Sequence, residues 1–499
     1  MTPRFHTPAE EAVSPLVIGL DVGSGGSRAA LYDASGREVG ARRHKVPHQF
    51  TTAPDGTSTI DADQIVEELR TGIRAVLARP APGPILGIGI DTFASSLVVV
   101  DAAGQAITPC ITYADSRSHA QVAVLRDRLD TAALHDRTGA RIASSYLAPR
   151  LLWLREEHPD ILGRAHRVMA LGEYVALKLL GTPALGTASA AWAGMIDRRT
   201  GAYVPELLEA TGTDPELLGA PLDPSATVPL AGSSLAARHP ELAEAVWVPV
   251  IGDGLAANIG IDATGTGTWG ISTATSGAIR QLLDTGAAQT DRLPSGLWAY
   301  RVDARRTLVG SAMSDCGRML DWVRTQTAVP EALAELDTQT LLSAPPSAST
   351  PLVVPFLSGE RGTKWRDGAR ALVAGVSAST TAPDLLRGAL EGLALSFLRI
   401  ADQLREISGE PERIVLSGGM TETVPAWLHL LADALNRPID HVAISRSTMR
   451  GTALLALEQV APDAERAPAP VLRRIEPVPG NAEHYRERLA RFEALADLA

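Results

Sequence analysis

The segment from Asp21 to Arg28, with the sequence DVGSGGSR, has the residue types needed to hold a phosphate group. Successive backbone N–H groups in a tight glycine-rich turn form an anion-binding concavity. Asp21 ends a buried apolar run and could hold a hydrated Mg²⁺ beside the phosphates, because that cation prefers oxygen ligands. The alternative is an ordinary hairpin turn with a solvated aspartate. The candidate phosphate-binding residues of this segment, called here the first turn, are Gly23, Ser24, Gly25, Gly26, Ser27 and Arg28.

Asp253 lies where a predicted buried strand ends at Gly252 and a helix of small residues begins. A carboxylate at this place, if it faces a cleft, can accept the proton of a hydroxyl group during phosphoryl transfer to an alcohol. The alternative is a helix cap, which is the commonest role of aspartate at such a position. The local pattern leaves both roles open, and they are compatible in part.

A second glycine-and-hydroxyl tip lies within 268–283, and its candidate phosphate-binding residues, called here the second turn, are Thr275, Ser276 and Gly277. The two turns lie about 250 residues apart, which predicts two halves related in pattern, although no extended repeat is present. There is no P-loop signature. The stretch 265–270 matches a dinucleotide-binding pattern only in its glycine spacing, because a strand-like segment follows it instead of a helix.

Hydrophobic periodicity predicts the elements that must position these residues, and strands alternating with helices indicate an α/β architecture. We predict hairpins over 16–33 and 268–283, a helix over 60–77, two strands within 85–101, mostly helix over 151–180 with a break near Pro159, helices over 383–404, 424–435 and 484–498, and a surface linker over 460–470.

Composition excludes several classes of protein. The 499 residues include 46 basic and 57 acidic side chains, and the net charge of -11 argues against non-specific binding to nucleic acid. Two cysteines are too few for a disulfide framework or a four-cysteine zinc site. No apolar run is long enough to cross a membrane, and residues 1–15 lack a signal-peptide pattern and are predicted to be a flexible tail. We therefore expect a cytoplasmic protein with no nucleic-acid or membrane partner.

The chain resembles the FGGY family of carbohydrate kinases over nearly its whole length. Each matching segment is moderately specific alone, and together they occur in the family's order. The segments are GLDVGSGGSRAALYD near the start, PCITYADSRS over 109–118, GDGLAANIG over 252–260, TSGAIR over 275–280, PFLSGERGTKWRDGARALVAGVS over 355–377 and LSGGMTETVPAWLHLLADALNRPI over 416–439.

The resemblance implies two actin-like, ribonuclease H-like domains flanking a central cleft for ATP and sugar. The sugar-binding domain would span 16–262 and the nucleotide-binding domain 263–499, with ATP and Mg²⁺ as cofactors. Asp253 aligns with the family's catalytic base and Asp21 with its metal-associated carboxylate, so both are candidate metal-site residues. The two turns would be phosphate loops, and Gly418 and Gly419 would flank the adenosine.

The sugar side of the resemblance rests on Tyr113, Asp115 and Arg117, which align with the family's W-x-D-x-R segment. A carboxylate and a guanidinium can each bind polyol hydroxyls, and an arginine can pair with a carboxylate. The alternative is a surface ion pair between Asp115 and Arg117. Where many relatives have Met-His, this chain has Ala94 and Ser95, and Ser95 is kept as a substrate-binding candidate.

The nucleotide side departs from the family at a paired-glycine segment near the adenine, where only Gly317 is kept as a candidate. Nucleotide preference is therefore left open. The expected reaction is ATP-dependent phosphorylation of a primary hydroxyl, with gluconate as the preferred substrate and xylulose or another pentulose or polyol as the alternative. An actin-like ATPase or a sugar-sensing protein is the alternative of a different class. A homodimer is a further expectation.

Overall fold

A computed structural model describes residues 5–286, 288, 290, 292–327 and 345–499. The first half of the chain is built on an eight-stranded sheet in which Leu16–Gly23 and Ile85–Thr92 are parallel central neighbours. Apolar side chains such as Ile18, Leu20 and Ile90 are fully buried there, which explains the continuous hydrophobic runs of these strands. In spatial order the strands are His6–Thr7, Glu38–Val46, Gly26–Tyr32, Leu16–Gly23, Ile85–Thr92, Val246–Trp247 and Val228–Pro229, with Ile251–Gly252 also pairing to Ile85–Thr92.

The second half is built on a seven-stranded sheet of similar pattern, in which a hairpin lies beside parallel strands. In spatial order its strands are Trp298–Arg301, Arg306–Met313, Gly277–Asp284, Thr268–Thr273, Arg413–Ser417, Ile439–Val442 and Val471–Ile475. Smaller sheets are formed by Val98–Val100 with Arg167–Met169, by Leu352–Val354 with Leu372–Ala374, and by Thr51–Thr52, Ser58–Ile60 and Cys110–Ile111.

Helices cover both sheets. Those of the first half are Ala62–Val76, His119–Arg128, Thr131–Thr138, Leu147–Glu157, Pro159–Arg164, Leu171–Leu180, Thr187–Trp192, Pro205–Thr211, Ser234–Arg238 and Asp253–Gly260. Those of the second half are Gly317–Gln326, Ala382–Ser408, Met420–Thr423, Ala426–Leu435, Ser447–Val460 and Asn481–Leu498. Among the described residues, none of the helices combines the length and the apolar character that a bilayer crossing requires.

The two predicted hairpins are confirmed, and each closes at a glycine. The first pairs Gly23 with Gly26, where a φ of 145° at Gly26 is unfavourable for any other residue. The second pairs Thr273 with Gly277. The predicted helix over 60–77, the two strands within 85–101, the break near Pro159 and the three C-terminal helices are also present, with ends shifted by a few residues.

Three expectations differ from the structure. The flexible tail predicted over 1–15 is wrong for residues 6–11, because His6–Thr7 pairs in parallel with Glu38 and Val39 and a short 3-10 helix follows, while residues 1–4 lie outside the described residues. The helical region over 151–180 contains the strand Arg167–Met169, which pairs with an apolar strand distant in sequence. The linker over 460–470 is irregular, but it includes the buried side chains of Ala467 and Ala469.

Two helices join the halves. The helix Asp253–Gly260 packs against Ser447–Val460, which we call the interface helix, and the contact is close because both helices present glycine. A Cβ atom on Gly260 would lie 1.7 Å from the carbonyl oxygen of Ser447, and one on Gly451 would lie 1.8 Å from that of Ala256. The interface helix also packs on the central strands of the first sheet, since a Cβ on Gly89 would lie 2.6 Å from the carbonyl oxygen of Thr452.

Candidate functional site

A cavity of about 210 Å³ opens between the two halves and contains Asp253. Residues from the first half and residues from the second half face each other across it. Its lining is formed by Phe93, Ala94, Ser95, Tyr113, Ser145, Tyr146, Trp192, Asp253, Gly254, Ser272, Ser276, Gly277, Ala278, Arg280, Trp298, Tyr300, Ala312, Arg361 and Trp365. We call this cavity the cleft.

Asp253 is the first residue of its helix, and the capping position itself is held by Gly252, which has no side chain. The carboxyl group of Asp253 accepts a hydrogen bond from the backbone N–H of Gly254, so it satisfies one backbone donor at the start of the helix without being the residue that precedes it. The indole of Trp192 packs against the backbone on both sides of Asp253, since Cβ atoms on Gly252 and Gly254 would lie 3.0 and 2.7 Å from that ring. This packing holds the carboxylate of Asp253 toward the cleft.

Electrostatics favour a proton-accepting role for Asp253. Burial raises the pKa of its carboxyl above the ordinary value, the guanidinium of Arg280 opposes that shift, and the charge of Asp21 adds to it. Asp253 is therefore within electrostatic reach both of the first turn, through Asp21, and of the strand that follows the second turn, through Arg280. A carboxylate with a raised pKa is a better acceptor for the proton of a hydroxyl group.

Three aspartates gather here because their strands run in parallel. Asp21 lies directly beside Asp91 in the sheet, and Ile251 of the short strand before Asp253 also pairs with Asp91. The carboxyl ends of parallel strands meet at one edge of a sheet, where ligands commonly bind. Sequence reasoning missed Asp91, although a charged residue within an otherwise buried strand was a usable signal.

Asp91 is fully buried and only partly satisfied. One carboxyl oxygen accepts a hydrogen bond from the hydroxyl of Thr452 on the interface helix at 2.5 Å, while the other has no hydrogen-bond partner in the described part of the chain. Burial, with smaller contributions from the charges of Asp21 and Asp253, raises the pKa of Asp91 well above its ordinary value.

The residues of the first turn do not all face the same way. Ser24 and Gly25 at the tip are exposed. The guanidinium of Arg28 pairs with the carboxylate of Asp21 at 2.7 Å, which opposes the increase in the pKa of Asp21 that burial causes. Ser27 is buried and its hydroxyl donates a hydrogen bond to Glu68 at 2.7 Å, so this hydroxyl is directed away from the tip.

Backbone contacts bring the second turn close to both Gly317 and Gly418. The N–H of Gly317 donates to the carbonyl of Ala274 at 2.8 Å. Gly418 has a φ of 127°, and a Cβ atom there would lie 2.1 Å from the carbonyl oxygen of Thr273. Gly418 and Gly419 also line a second cavity of about 600 Å³, which is bounded on its other side by residues 441–448. These contacts place a cavity of nucleotide size next to the second turn.

Ser95 and Tyr113 line the cleft, whereas Asp115 and Arg117 do not. Arg117 pairs with Asp115 at 2.8 Å, and its guanidinium stacks over the ring of Trp153 at 4.7 Å. The ion pair is not at the surface, because Asp115 is only 3 % exposed. The substrate-binding role of these two residues stays a prediction, and their contacts favour a structural role.

Arg150 is a site-supporting residue that sequence reasoning missed. It is 2 % exposed, has no acidic partner in an ion pair within the described residues, and donates hydrogen bonds to the carbonyls of Ser95, Thr112 and Ser144. These carbonyls belong to three segments that bring Ser95, Tyr113 and Ser145 to the cleft. One buried guanidinium therefore fixes the first-half side of the cavity.

Two guanidinium groups from the second half enter the cleft. Arg280 donates to the hydroxyl of Ser272 at 3.1 Å, while its buried Nε atom has no hydrogen-bond partner in the described residues. Burial lowers the pKa of Arg280 to about 10; Asp253 opposes that change, and the like charge of Arg361 adds to it. Arg361 forms no hydrogen bond or ion pair with any residue the structure describes. The cleft thus contains two cations beside one carboxylate.

An aromatic wall completes the cleft. The rings of Trp192 and Tyr300 stack at 4.5 Å between centroids, Trp298 stacks on Tyr300 at 4.7 Å, and the hydroxyls of Tyr146 and Tyr300 are hydrogen-bonded at 2.6 Å. Aromatic faces present an apolar surface with few hydrogen-bonding groups. The arrangement suits a small polar molecule that has C–H groups on one side and a negative charge or hydroxyls on the other.

Comparison with known proteins identifies the family. Residues 16–260 match the N-terminal domain, and residues 266–459 the C-terminal domain, of the FGGY family of carbohydrate kinases. The chain is 24 % identical to a gluconokinase of Bacillus licheniformis, with 88 % of this chain and 87 % of that protein covered. It is 25 % identical to a xylulose kinase of Klebsiella pneumoniae, with 96 % and 98 % covered.

Solved structures show the same fold. A gluconate kinase from Lactobacillus acidophilus superposes with a TM-score of 0.87 at 21 % identity, covering 97 % of this chain and 98 % of that one. A ligand-bound xylulose kinase from the same organism superposes with a TM-score of 0.88 at 22 % identity and the same coverage. The predicted fold of two actin-like α/β domains is confirmed. The chain belongs to the FGGY family of carbohydrate kinases.

Proposed function

We propose that this kinase transfers the γ-phosphoryl group of ATP to a primary hydroxyl of gluconate. The observation that carries the proposal is the pair of guanidinium groups, Arg280 and Arg361, that enter the cleft beside the single carboxylate of Asp253. Beside an ionised Asp253, one positive charge of the cleft remains for a bound anion, which either the carboxylate of a sugar acid or the γ-phosphoryl group can supply. An arginine and a carboxylate form strong, directional hydrogen bonds.

In the proposed mechanism Asp253 accepts the proton of the attacking hydroxyl as the oxygen approaches the γ-phosphorus. Backbone N–H groups of the two turns hold the phosphoryl oxygens on which negative charge develops. The exposed Ser24 and Ser276 can add hydroxyl donors, while Ser27 cannot without leaving Glu68. Closure of the two halves around the cleft excludes water, which would otherwise compete as the phosphoryl acceptor.

The residues at the edge of the first sheet fit a hydrated Mg²⁺. Asp91 has a buried carboxyl oxygen without a partner, and Asp21 and Asp253 add negative charge nearby. Within the described residues no three acidic, histidine or cysteine side chains converge closely enough to hold a metal ion unaided. That agrees with Mg²⁺, which usually takes one or two carboxylates, several waters and the phosphates of its substrate. Asp21, and through water Asp253, would hold the ion, which would neutralise charge on the phosphates.

Other parts of the proposal concern the nucleotide and the state of the protein. Gly317, Gly418 and Gly419 are proposed to contact the nucleotide, because they adjoin the second turn and its neighbouring cavity. The domain division at residues 262 and 263 is proposed as well, with the qualification that the interface helix crosses to the first sheet. A cytoplasmic location and a homodimer stay predictions.

The test is a substrate panel measured by ADP release, with gluconate, xylulose, ribulose, glycerol, erythritol and D-glucitol as acceptors. D-glucitol is the informative control, because it has the carbon chain of gluconate with an alcohol in place of the carboxylate. We expect kcat/KM to be highest for gluconate. Preference for xylulose over gluconate would overturn the proposed substrate in favour of a pentulose, and ADP release independent of any acceptor would indicate an ATPase.

Arg150→Lys should raise KM for the sugar about tenfold with little change in KM for ATP. A lysine ammonium keeps the positive charge but cannot reach the three carbonyls that the planar guanidinium of Arg150 binds, so the loops that bring Ser95 and Tyr113 to the cleft lose their support. Steady-state kinetics with each substrate varied in turn would measure this. Arg126→Lys is the matched control, since among the described residues Arg126 donates only to the carbonyl of Ile142. Equal effects of the two substitutions would contradict the role of Arg150.

Gly418→Ala should raise KM for ATP at least tenfold and lower the free energy of unfolding by about 2–4 kcal/mol. The new methyl group would collide with the carbonyl of Thr273, so the second turn must move, and a φ of 127° is unfavourable for alanine. Steady-state kinetics with ATP varied would measure the change in KM, and thermal unfolding would measure the change in stability. Gly368→Ala serves as the control, because a Cβ atom there would meet no atom of the described residues within 4 Å. An unchanged KM for ATP would separate Gly418 from the nucleotide site.

A further inference from the structure

A buried histidine supports the first turn from behind. The ring of His48 has no exposed side-chain surface, and its two nitrogens each have one close partner. Nδ1 lies 2.8 Å from a carboxylate oxygen of Glu68, and Nε2 lies 2.8 Å from the carbonyl oxygen of Gly23. Glu68 is itself 6 % exposed and lies on the helix Ala62–Val76, which otherwise packs apolar residues on the sheet.

The partners of His48 determine which way its hydrogen bond to the first turn runs. A carbonyl oxygen can only accept a hydrogen bond, and an ionised carboxylate can only accept as well. Glu68 also accepts from the hydroxyl of Ser27 at 2.7 Å and from the amide of Gln64 at 2.8 Å, so its carboxyl group links His48 to the first turn. Because the carbonyl of Gly23 can only accept, Nε2 of His48 carries a hydrogen and donates to it, while Nδ1 is hydrogen-bonded to Glu68.

The hydrogen bond from His48 to the carbonyl of Gly23 orients a peptide group of the first turn. The peptide that joins Gly23 to Ser24 is planar, so its C=O and N–H groups point in opposite directions. A donor fixed on the carbonyl from the buried side orients the N–H of Ser24 away from His48. Donation to the carbonyl also strengthens the N–H of the same peptide as a donor, since linked hydrogen bonds polarise one another. The turn is held at a second point, because Ser27 is bound to the same carboxylate.

We propose that His48 and Glu68 form a buried hydrogen-bonded pair that positions the first turn for the phosphates of ATP. Neither side chain touches the ligand in this arrangement; both act through the backbone of Gly23 and the hydroxyl of Ser27. The inference rests on the proposed binding of ATP phosphates at the first turn, but it does not depend on which sugar is phosphorylated. It explains why a histidine and a glutamate are buried beneath a turn that exposes only small residues.

The test compares two variants in the full-length protein. Glu68→Gln keeps a side chain that can donate to Nδ1 of a neutral ring, so Nε2 of His48 can still donate to Gly23. The double variant His48→Phe with Glu68→Gln removes the bond to Gly23 without leaving a buried carboxyl group that has lost its histidine partner. We expect the dissociation constant of Mg·ATP, measured by calorimetry without sugar, to rise about tenfold in the double variant and by much less in Glu68→Gln. KM for the sugar should stay within about twofold of the wild-type value.

Several results would overturn the inference. Wild-type affinity for Mg·ATP in the double variant would remove the positioning role, and equal losses for ATP and sugar would indicate a general structural role. Nitrogen NMR of the wild-type protein, with the His48 signal assigned from the double variant or from Glu68→Gln, should show that Nε2 of His48 carries a hydrogen. A ring that carries no hydrogen on Nε2 would refute the bond to Gly23 even if the double variant did not fold. Absence of activity on gluconate would refute the proposed substrate and leave these measurements unaffected.

Discussion

Asp253→Asn is expected to lower kcat about 10³-fold while the affinity for ATP changes little. Asparagine has the same shape, and it cannot accept the proton of the attacking hydroxyl. The surroundings of residue 253 should tolerate it, because burial already disfavours the charged form of the carboxyl. Single-turnover measurements of ADP formation and calorimetric titration with a non-hydrolysable ATP analogue would separate chemistry from binding.

The pH dependence of turnover gives a second measurement of the same role. The pKa of Asp253 is raised by burial, and the base works only in its ionised form, so kcat should be present above that pKa and fall as the pH decreases through it. The acid limb should therefore lie above the ordinary aspartate value of 3.8. In Asp253→Asn the residual activity should lose this limb.

Asp284→Asn is a suitable control for Asp253→Asn. Asp284 is an exposed carboxylate at the far end of the strand that carries Arg280, and it does not line the cleft. Its substitution should leave kcat at the wild-type value. Near-normal turnover in Asp253→Asn, or an equal loss in both variants, would show that another group accepts the proton.

The sequence predicted the local elements of this site well, because each carries its own signal. Both turns are flanked by apolar runs that pair with each other across two or three residues, so neighbours in sequence are neighbours in space. Asp253 likewise follows a short strand and opens a helix, as predicted, although it is not the cap. The resemblance to the FGGY family then indicated which of these elements face a common cleft.

Contacts between distant segments could not be predicted in the same way. The carboxyl group of Asp91 accepts a hydrogen bond from Thr452, which lies 361 positions away in the sequence. Arg150 donates hydrogen bonds to three carbonyls in separate loops. Ser27 has the sequence context of a phosphate ligand, but helix Ala62–Val76 presents Glu68 to its hydroxyl. Side-chain direction of this kind depends on how helices pack on the sheet, and a local pattern contains no information about it.

The proposed substrate depends on Arg361, and Arg361→Gln should lower kcat/KM for gluconate about 10²-fold, mostly through KM. A hydrogen-bonded contact between charged groups contributes about 1.5–3 kcal/mol, which corresponds to about 10- to 150-fold in affinity. Stability should not change much, because Arg361 is exposed and has no bonded partner among the described residues. Arg280→Gln should have an effect in the same direction, with some loss of stability because Arg280 also binds Ser272.

Activity measured with two different phosphoryl acceptors distinguishes two roles for Arg280 and Arg361. If they bind the substrate carboxylate, Arg361→Gln should leave the weak activity on D-glucitol within about threefold of the wild-type activity, because D-glucitol has no carboxylate for Arg361 to bind. If they bind the γ-phosphoryl group instead, kcat should fall by the same factor with either acceptor. Arg370→Gln, on an exposed arginine of the same segment whose only partners in the described part of the chain are nearby carbonyls, should change neither activity. Equal losses on gluconate and D-glucitol would therefore assign the two guanidinium groups to the phosphoryl group and leave the choice of sugar to the hydroxyl contacts.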